Sequence, residues 1–509
     1  MSRSIYIVAD CFPPVAKVGI HRVSALCRHL VAAGWRVHII TARPGDDDPI
    51  DERLMSLVPP EAVIHSTSRI NFEPMLARFV KTLIRRGRSA QREAPDGGSP
   101  GGGETSVAAV QLSNDAGPRG GRFRTIVDWV SWWLHVPDSR MGWLMPAMRA
   151  GLRARRTAKP EIIFSTAPAW TSHVVAAAMA RLMGLPLVAD FRDPWCSSAF
   201  QDWPYDAHRR VDERLEQFVL NTASSVTCAW DGIRRHLGAR YPHKAAGMTT
   251  IINGFAPAQI DAVTPVRPGG VKCTLIHAGN FYGPRSPWPL MEGLKKFKRD
   301  YPQAAADVGV VLLGSTDYQG KSLEQITAKC GLWDMVRILP PCPHAQSLAM
   351  LKGADAAILF GQSGTEELAS VPAKVFEYIG AGKNVLAIGA GRESLDLMRR
   401  GGCRVWAAGE ADPAALCEAL QEIHALHMAG KLALEPGPAR LQFTQDAMAA
   451  QLSRVLEDTI DSHQRSRAPQ VRRCFTHPCP PKSEQISPSP TCGVAAIPSA
   501  QDTAAAPAE

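Results

Sequence analysis

Residues 4–42 read SIYIVADCFPPVAKVGIHRVSALCRHLVAAGWRVHIITA, and their pattern decides the fold class. SIYIVA is a short apolar run closed by Asp10 and a Pro-Pro turn, as a buried strand should be. IHRVSALCRHLVAAG carries apolar residues at helical spacing and stops on Gly34; RVHIITA is a second apolar run. A strand, a helix and a second strand make a parallel pair with a crossover, the unit of an α/β sheet.

The rhythm continues along the chain. AVIHS, EIIFST, PLVADF, SVTCA and TTIIN read as further strands up to about residue 255. The Pro/Gly-rich stretch 255–271, FAPAQIDAVTPVRPGGV, reads as an interdomain linker. A second series follows: CTLIHAG, VGVVLLGS, VRILPP, AAILFG, NVLAIG and RVWAAG, alternating with helices. The expectation is two Rossmann-like, doubly wound domains, 1–255 and 272–440, facing each other across a cleft where strand ends converge on ligand. A helix at 441–461 can cross back to the first domain. Two segments, 88–121 (DGGSPGGGETS and NDAGPRGG within it) and 462–509, are too rich in Gly, Pro, Ser and Ala to bury a core and read as disordered.

Composition narrows the function classes. The chain has 509 residues, 45% hydrophobic and 21% charged, with formal net charge +9, so anionic partners fit it. It shows no RNA-binding motif, zinc finger or helix-turn-helix, which sets nucleic acid aside. No run of 18 apolar residues and no signal-peptide pattern appear, and the 12 cysteines are scattered, which fits reduced thiols in a cytosol. Cys474, His477 and Cys479 lie in a Pro-rich tail without a second ligand pair, so no metal site is expected there.

Chemistry-bearing residues cluster where strands end. Gly19 precedes a helix and lets backbone approach a phosphate or sugar, or it simply makes a turn. VADFRDPW (188–195) holds Asp190, Arg192 and Asp193; the guanidinium can fix one carboxylate while the other meets a hydroxyl, or the three form an internal salt bridge. His173, in STAPAWTSHVV, reads as a helix-face residue rather than a catalyst. HAGNFYGPR (277–285) places Asn280 and Arg285 after a small-residue turn. In SVPAKVFEYIGAGKNVLAIG (370–389), Ser370 or Val371 can cap a helix with Pro372 in its first turn and Val375, Phe376 and Ile379 facing the core. Lys374 and Glu377 then share another side, either as a surface ion pair or as a cation for phosphate and a carboxylate for sugar hydroxyls. Lys374 and Arg285 arriving from two loops of one sheet favour the phosphate reading of both.

FPP…G..R, DFRDPW, NGF, AGNFYGPR and VPAKVFEYIGAGKNVLAI, in this order, resemble the family 4-like glycosyltransferases of the GT-B fold, in the branch linked to bacterial cell-surface polysaccharides. The resemblance spans roughly residues 4–458, apart from 88–121. It implies a retaining transfer of sugar from a nucleotide sugar to a glycan or lipid-linked acceptor, without metal or other cofactor. It assigns Glu377 to the ribose, Lys374 and Arg285 to the diphosphate, Gly19 and Asn280 to the donor side, and Arg192 and Asp193 to the acceptor side as catalytic residues. One departure stands out: where many members carry a first Glu, eight residues before the second, this chain has Ala369, with Glu366 and Glu367 upstream. Ala369 favours an inactive nucleotide-sugar-binding protein as one alternative; a nucleotide-sugar 2-epimerase on the same architecture is another. Finally, Lys81, Arg85, Arg86 and Arg88 in 75–92, with Trp129, Trp132 and Trp133, can hold a cytoplasmic enzyme against an anionic membrane face, or pack the N-terminal core.

Overall fold

The computed structural model describes residues 2–70 except 18 and 47, then 133–197, 203, 205–281, 285–361, 370–434 and 437–467. The expected α/β architecture is present, as two parallel sheets. The first contains β1 (Ser4–Val8), β2 (Arg36–Ala42), β3 (Val63–Thr67), β4 (Ile162–Ala167), β5 (Leu187–Phe191), β6 (Ser225–Cys228) and β7 (Met248–Thr250), in the order β3-β2-β1-β4-β5-β6-β7. The second contains β8 (Cys273–Gly279), β9 (Val308–Gly314), β12 (Val336–Leu339), β13 (Ala356–Phe360), β14 (Val385–Ile388) and β15 (Val405–Ala408), in the order β12-β9-β8-β13-β14-β15. A small antiparallel ribbon, β10 (Asp317–Tyr318) with β11 (Lys321–Ser322), was not legible from the sequence pattern. Strands β1, β4, β5, β8, β9, β13 and β14 are buried, or nearly so, along their whole length, as near-continuous Ile/Val/Leu/Ala runs require when helices cover both faces.

Strand order reverses direction between β1 and β4 in the first sheet and between β8 and β13 in the second. Crevices at such switch points, beyond the carboxyl ends of the strands, are where open α/β sheets take ligands. The loops after β1, β5 and β8 carry Gly19, Arg192 and Asn280, and Lys374 opens the helix that follows β13, so these functional candidates sit at the two switch points.

The stretch 255–271 is more ordered than a free linker. It contains the helix Pro257–Asp261, and the Val266 amide donates to the Ala349 carbonyl at 2.9 Å. The Phe255 amide donates to Phe443 O (2.9 Å) and its carbonyl accepts from the Gln445 amide (2.8 Å), which fixes the return crossing. The last helix, Gln445–Arg467, then lays Met448, Ala449, Leu452, Leu456 and Ile460 into the core around Ile5, Ile7 and Leu26. Of these, Met448, Leu452, Leu456 and Ile460 each contribute about 1.5–3 kcal/mol on removal from water. Ser225 and Thr459 share a hydrogen bond of 2.8 Å, and Arg3 reaches Asp461 at 3.0 Å. The helix extends to Arg467, so order persists past residue 462; amphipathic periodicity outlasts the point where composition turns polar. The stretches 71–132 and 468–509, which include the 88–121 segment, the basic cluster at 81–88, Trp129, Trp132 and the Pro-rich tail, lie outside the described residues.

Candidate active site

The second sheet builds the donor half. Lys374 begins the helix Lys374–Gly380, whose N-cap is Ala373 without a side-chain cap; neither Ser370 nor Val371 takes that place. Val375, Phe376, Tyr378 and Ile379 are buried, which anchors the helix against its sheet and leaves Lys374 and Glu377 partly exposed. Glu377 is engaged at both oxygens: Oε2 lies 3.7 Å from Lys374 Nζ, and Oε1 lies 3.1 Å from His344 Nε2, at the start of the helix His344–Gly353. Burial pushes the Glu377 carboxyl up, but the His344 hydrogen bond and the charges of Lys374, His344 and His21 outweigh it and hold it below its ordinary value. His21 belongs to the helix Ile20–Ala32 of the first sheet's half, so this carboxylate feels charge from both halves.

Asn280 directly follows β8, with Oδ1 beside Gly314 of β9. The chain then turns over the sheet, where the Phe281 amide donates to Ser315 Oγ at 2.9 Å. Arg285 and Lys374 both act electrostatically on His277 near the end of β8, which places two cations around one strand terminus. Ala369, Glu366 and Glu367 lie outside the described residues.

The first sheet's switch point is organised differently from the sequence reading. Asp190 is fully buried, and Arg22, not Arg192, neutralises it: Nε and Nη2 of Arg22 donate to its two oxygens at 2.9 and 2.7 Å. Thr166 and Thr227 donate to the same carboxylate at 2.8 and 2.6 Å, and Arg22 Nη1 reaches Asn253 Oδ1 at 3.2 Å. Burial raises the Asp190 pKa, yet Arg22 and the two threonines bring it below the ordinary carboxylate value. A carboxylate accepting four donors inside a core is a structural pin, not a free base. The pin ties together the Arg of FPP…G..R, the Asp of DFRDPW and the Asn of NGF. The motifs contain these residues, but their pairing arises only in the folded chain.

Arg192 instead donates to the carbonyls of Ala167 (3.2 Å) and Pro168, at the end of β4. A Cβ on Gly19 would overlap its guanidinium, so glycine is what permits the loop after β1 to lie against the loop after β5. Asp193, next along, is half-buried; burial raises its pKa to about 6, against the lowering influence of Arg192. His173 is fully buried, with Nδ1 2.8 Å from Ser165 Oγ and its ring 4.6 Å from that of Phe191. Burial holds it neutral, its pKa pushed down to about 3, so it is a core residue.

A contact joining the two halves escaped the sequence reading. Glu393, from the helix Arg392–Arg400, accepts from the amides of Asp231 (2.5 Å) and Gly232 (3.0 Å), which begin the helix Asp231–Arg240. A carboxylate there complements the positive helix end. Trp133 packs edge-on against His208 with ring centroids 4.4 Å apart. Among the described residues one group could hold a metal, Cys273, Asp355 and His427, but it lies at the opposite end of β8 from Gly279. Asp355 there already accepts from the Thr274 amide (2.7 Å) and Arg267 (2.9 Å). No helix among the described residues is long and apolar enough to cross a membrane.

Residues 102–254 match the family model of the glycosyl transferase 4-like domain. The match begins inside the stretch that composition marks as an insertion. No curated protein sequence matches the chain. Among solved structures, sucrose-phosphate synthase from Thermosynechococcus elongatus aligns at TM-score 0.57 and 15% identity, covering 90% of this chain and 100% of that one. HepE from Anabaena, in complex with UDP, aligns at TM-score 0.50 and 12% identity, covering 89% and 100%. A putative UDP-N-acetylglucosamine 2-epimerase from Listeria monocytogenes aligns at TM-score 0.50 and 8% identity, covering 91% and 98%. The chain thus shares the two-sheet fold of these structures, and a stretch of its first half is similar to the glycosyl transferase 4-like domain.

Proposed function

We propose that the protein moves a sugar from a nucleotide-sugar donor to a glycan or lipid-linked acceptor with retention of anomeric configuration, in cell-surface polysaccharide synthesis. The observation that carries the donor reading is the grouping of Lys374, Arg285 and Glu377 around the end of β8, at the switch point of the second sheet. Two cations beside one strand end suit a diphosphate, and a carboxylate held ionised suits two ribose hydroxyls. In transfer the bond from anomeric carbon to diphosphate oxygen breaks, and charge grows on that oxygen. Lys374 and Arg285 are placed to stabilise it, so no metal is required in this reading.

Arg192 and Asp193 face the acceptor. Asp193, with a pKa near 6, is largely ionised near neutrality and can take the acceptor hydroxyl proton. Arg192, fixed by two carbonyls, holds the loop that presents it. An epimerase would need a set of acid–base carboxylates around the donor sugar. Of the candidates Asp190 and Asp193, Asp190 is saturated by four donors, which favours transfer. Peripheral attachment to an anionic membrane through the basic 75–92 segment belongs to the same proposal. Cosedimentation with anionic vesicles should fall when Lys81, Arg85, Arg86 and Arg88 are all changed to Gln; unchanged binding rejects attachment through that segment.

Calorimetric titration tests the donor reading. UDP, GDP and ADP are screened, and the tightest is compared with its parent nucleoside. Lys374→Ala and Arg285→Ala should each weaken the diphosphate by about 1.5–3 kcal/mol and leave the nucleoside nearly unchanged. Glu377→Gln should weaken the ribonucleotide more than its deoxyribose analogue. Equal losses for nucleoside and diphosphate would reject the assignment.

A further inference from the structure

His277 is 5% exposed, and the donor reading gives it no role. Its Nδ1 lies 3.0 Å from the carbonyl of Ile358 on β13. A carbonyl can only accept, so Nδ1 carries the proton and Nε2 presents a lone pair. That Nε2 is buried and has no hydrogen-bond partner among the described residues. Burial, with the charges of Lys374 and Arg285, pushes the imidazole pKa down to about 3, so the ring stays neutral. Phe281 and Phe360 pack on it, with ring centroids 5.3 and 4.7 Å away, so it turns apolar neighbours to the core and its acceptor to one side.

That side is the space above Gly279. A Cβ on Gly279 would lie 3.0 Å from His277 Nε2 and 3.0 Å from Lys374 Cε. The lysine stem and the vacant acceptor therefore share the gap that the missing side chain leaves. In this state the Lys374 ammonium leans on Glu377 Oε2 at 3.7 Å, the oxygen that a ribose hydroxyl would need.

Resting on the reading that a nucleoside diphosphate binds here, we infer that His277 is a positioning residue for Lys374. When the diphosphate enters, the ammonium leaves Glu377, donates one N–H to His277 Nε2 and turns its others to the phosphate oxygens. An ammonium has three donors, so the two roles are compatible. Glu377 Oε2 is released for the ribose in the same movement. The neutral imidazole suits this task, because a protonated ring would repel the ammonium.

The test compares wild type, His277→Phe, His277→Gln and Lys374→Ala by calorimetry, with the tightest of UDP, GDP and ADP and its parent nucleoside. Phe removes the acceptor while matching the apolar surroundings, and Ile358 O keeps its hydrogen bond from Tyr378 at 3.0 Å, so folding should persist. His277→Phe should weaken the diphosphate about fivefold and the nucleoside not at all, and Gln, which restores an acceptor, should recover most of the loss. In wild type, the ¹⁵N resonance of His277 Nε2 should move on adding the diphosphate and stay put with the nucleoside. If Lys374→Ala costs diphosphate affinity while His277→Phe costs none, or costs both ligands equally, the positioning role is overturned and the diphosphate site stands. If Lys374→Ala leaves diphosphate affinity unchanged, the donor reading itself falls, and this inference with it.

Discussion

Gly19→Ala is expected to change sign with the identity of residue 192. Gly19 has φ −63° and ψ −19°, ordinary helical backbone that alanine adopts without strain. On backbone grounds alone the substitution should stabilise the fold by about 0.4–1 kcal/mol. Against that, the new methyl would occupy the place of the Arg192 guanidinium. The side chain can yield only by giving up hydrogen bonds to Ala167 O and Pro168 O. Each is a charge-assisted bond worth about 1.5–3 kcal/mol, and at least one must break. The net expectation in the wild-type background is a loss of about 1–2 kcal/mol. In an Arg192→Ala background the three atoms nearest the new methyl are gone, and Gly19→Ala should then stabilise by about 0.4–1 kcal/mol. Urea unfolding of the four proteins closes the cycle, with a coupling energy of about 1.5–3 kcal/mol. Additive effects, or destabilisation of the same size in both backgrounds, would refute the claim that the loops after β1 and β5 are held together through this contact.

Three further outcomes follow from buried charges. Asp190→Ala should destabilise by about 3–5 kcal/mol in chemical denaturation, because Arg22 is left buried without its carboxylate; a loss below about 1 kcal/mol would show that the pin is not structural. Asp193 binds its proton more tightly folded than unfolded, so its contribution to stability falls as pH rises from about 4 to 6. Asp193→Asn should therefore gain on the order of 1–2 kcal/mol above pH 6 relative to wild type and abolish transfer at neutral pH; undiminished transfer would remove it from catalysis. His173 and His277 behave oppositely: both have folded pKa values near 3, below the unfolded value, so the unfolded chain gains protons first as pH falls below about 6.5. Each should subtract up to about 1.4 kcal/mol per pH unit down that limb, and His277→Phe should make the limb shallower by its share.

The architecture was legible because its signal is local. Uninterrupted apolar runs such as IIFSTA and VGVVLLG announce strands buried on both faces, and glycines close the helices between them. Residues 317–322 escaped because two-residue strands carry no periodicity. The site was legible in its parts and less so in its pairings. Lys374 and Glu377 lie three apart on one helix, so their proximity is a local fact. Arg22 and Asp190 are separated by 168 residues, and nothing in DFRDPW says which arginine its first aspartate will meet. Arg192, two positions away, looked nearer, but β5 ends at Phe191 and the turn that follows carries Arg192 to the carbonyls of Ala167 and Pro168. His344, His277 and Glu393 act through contacts made only after the sheets assemble, and a lone His or Glu in sequence carries no such mark.

The central claim is tested most directly by following the sugar. The full chain is incubated with nucleotide sugars labelled at the anomeric carbon, a glycan or lipid-linked acceptor preparation, and a strong chelator. The account predicts that label passes to the acceptor with its anomeric configuration retained, that free nucleoside diphosphate appears in equal amount, and that the chelator does not slow the reaction. Label recovered in an isomerised donor, or donor bound without turnover across the panel, would contradict it.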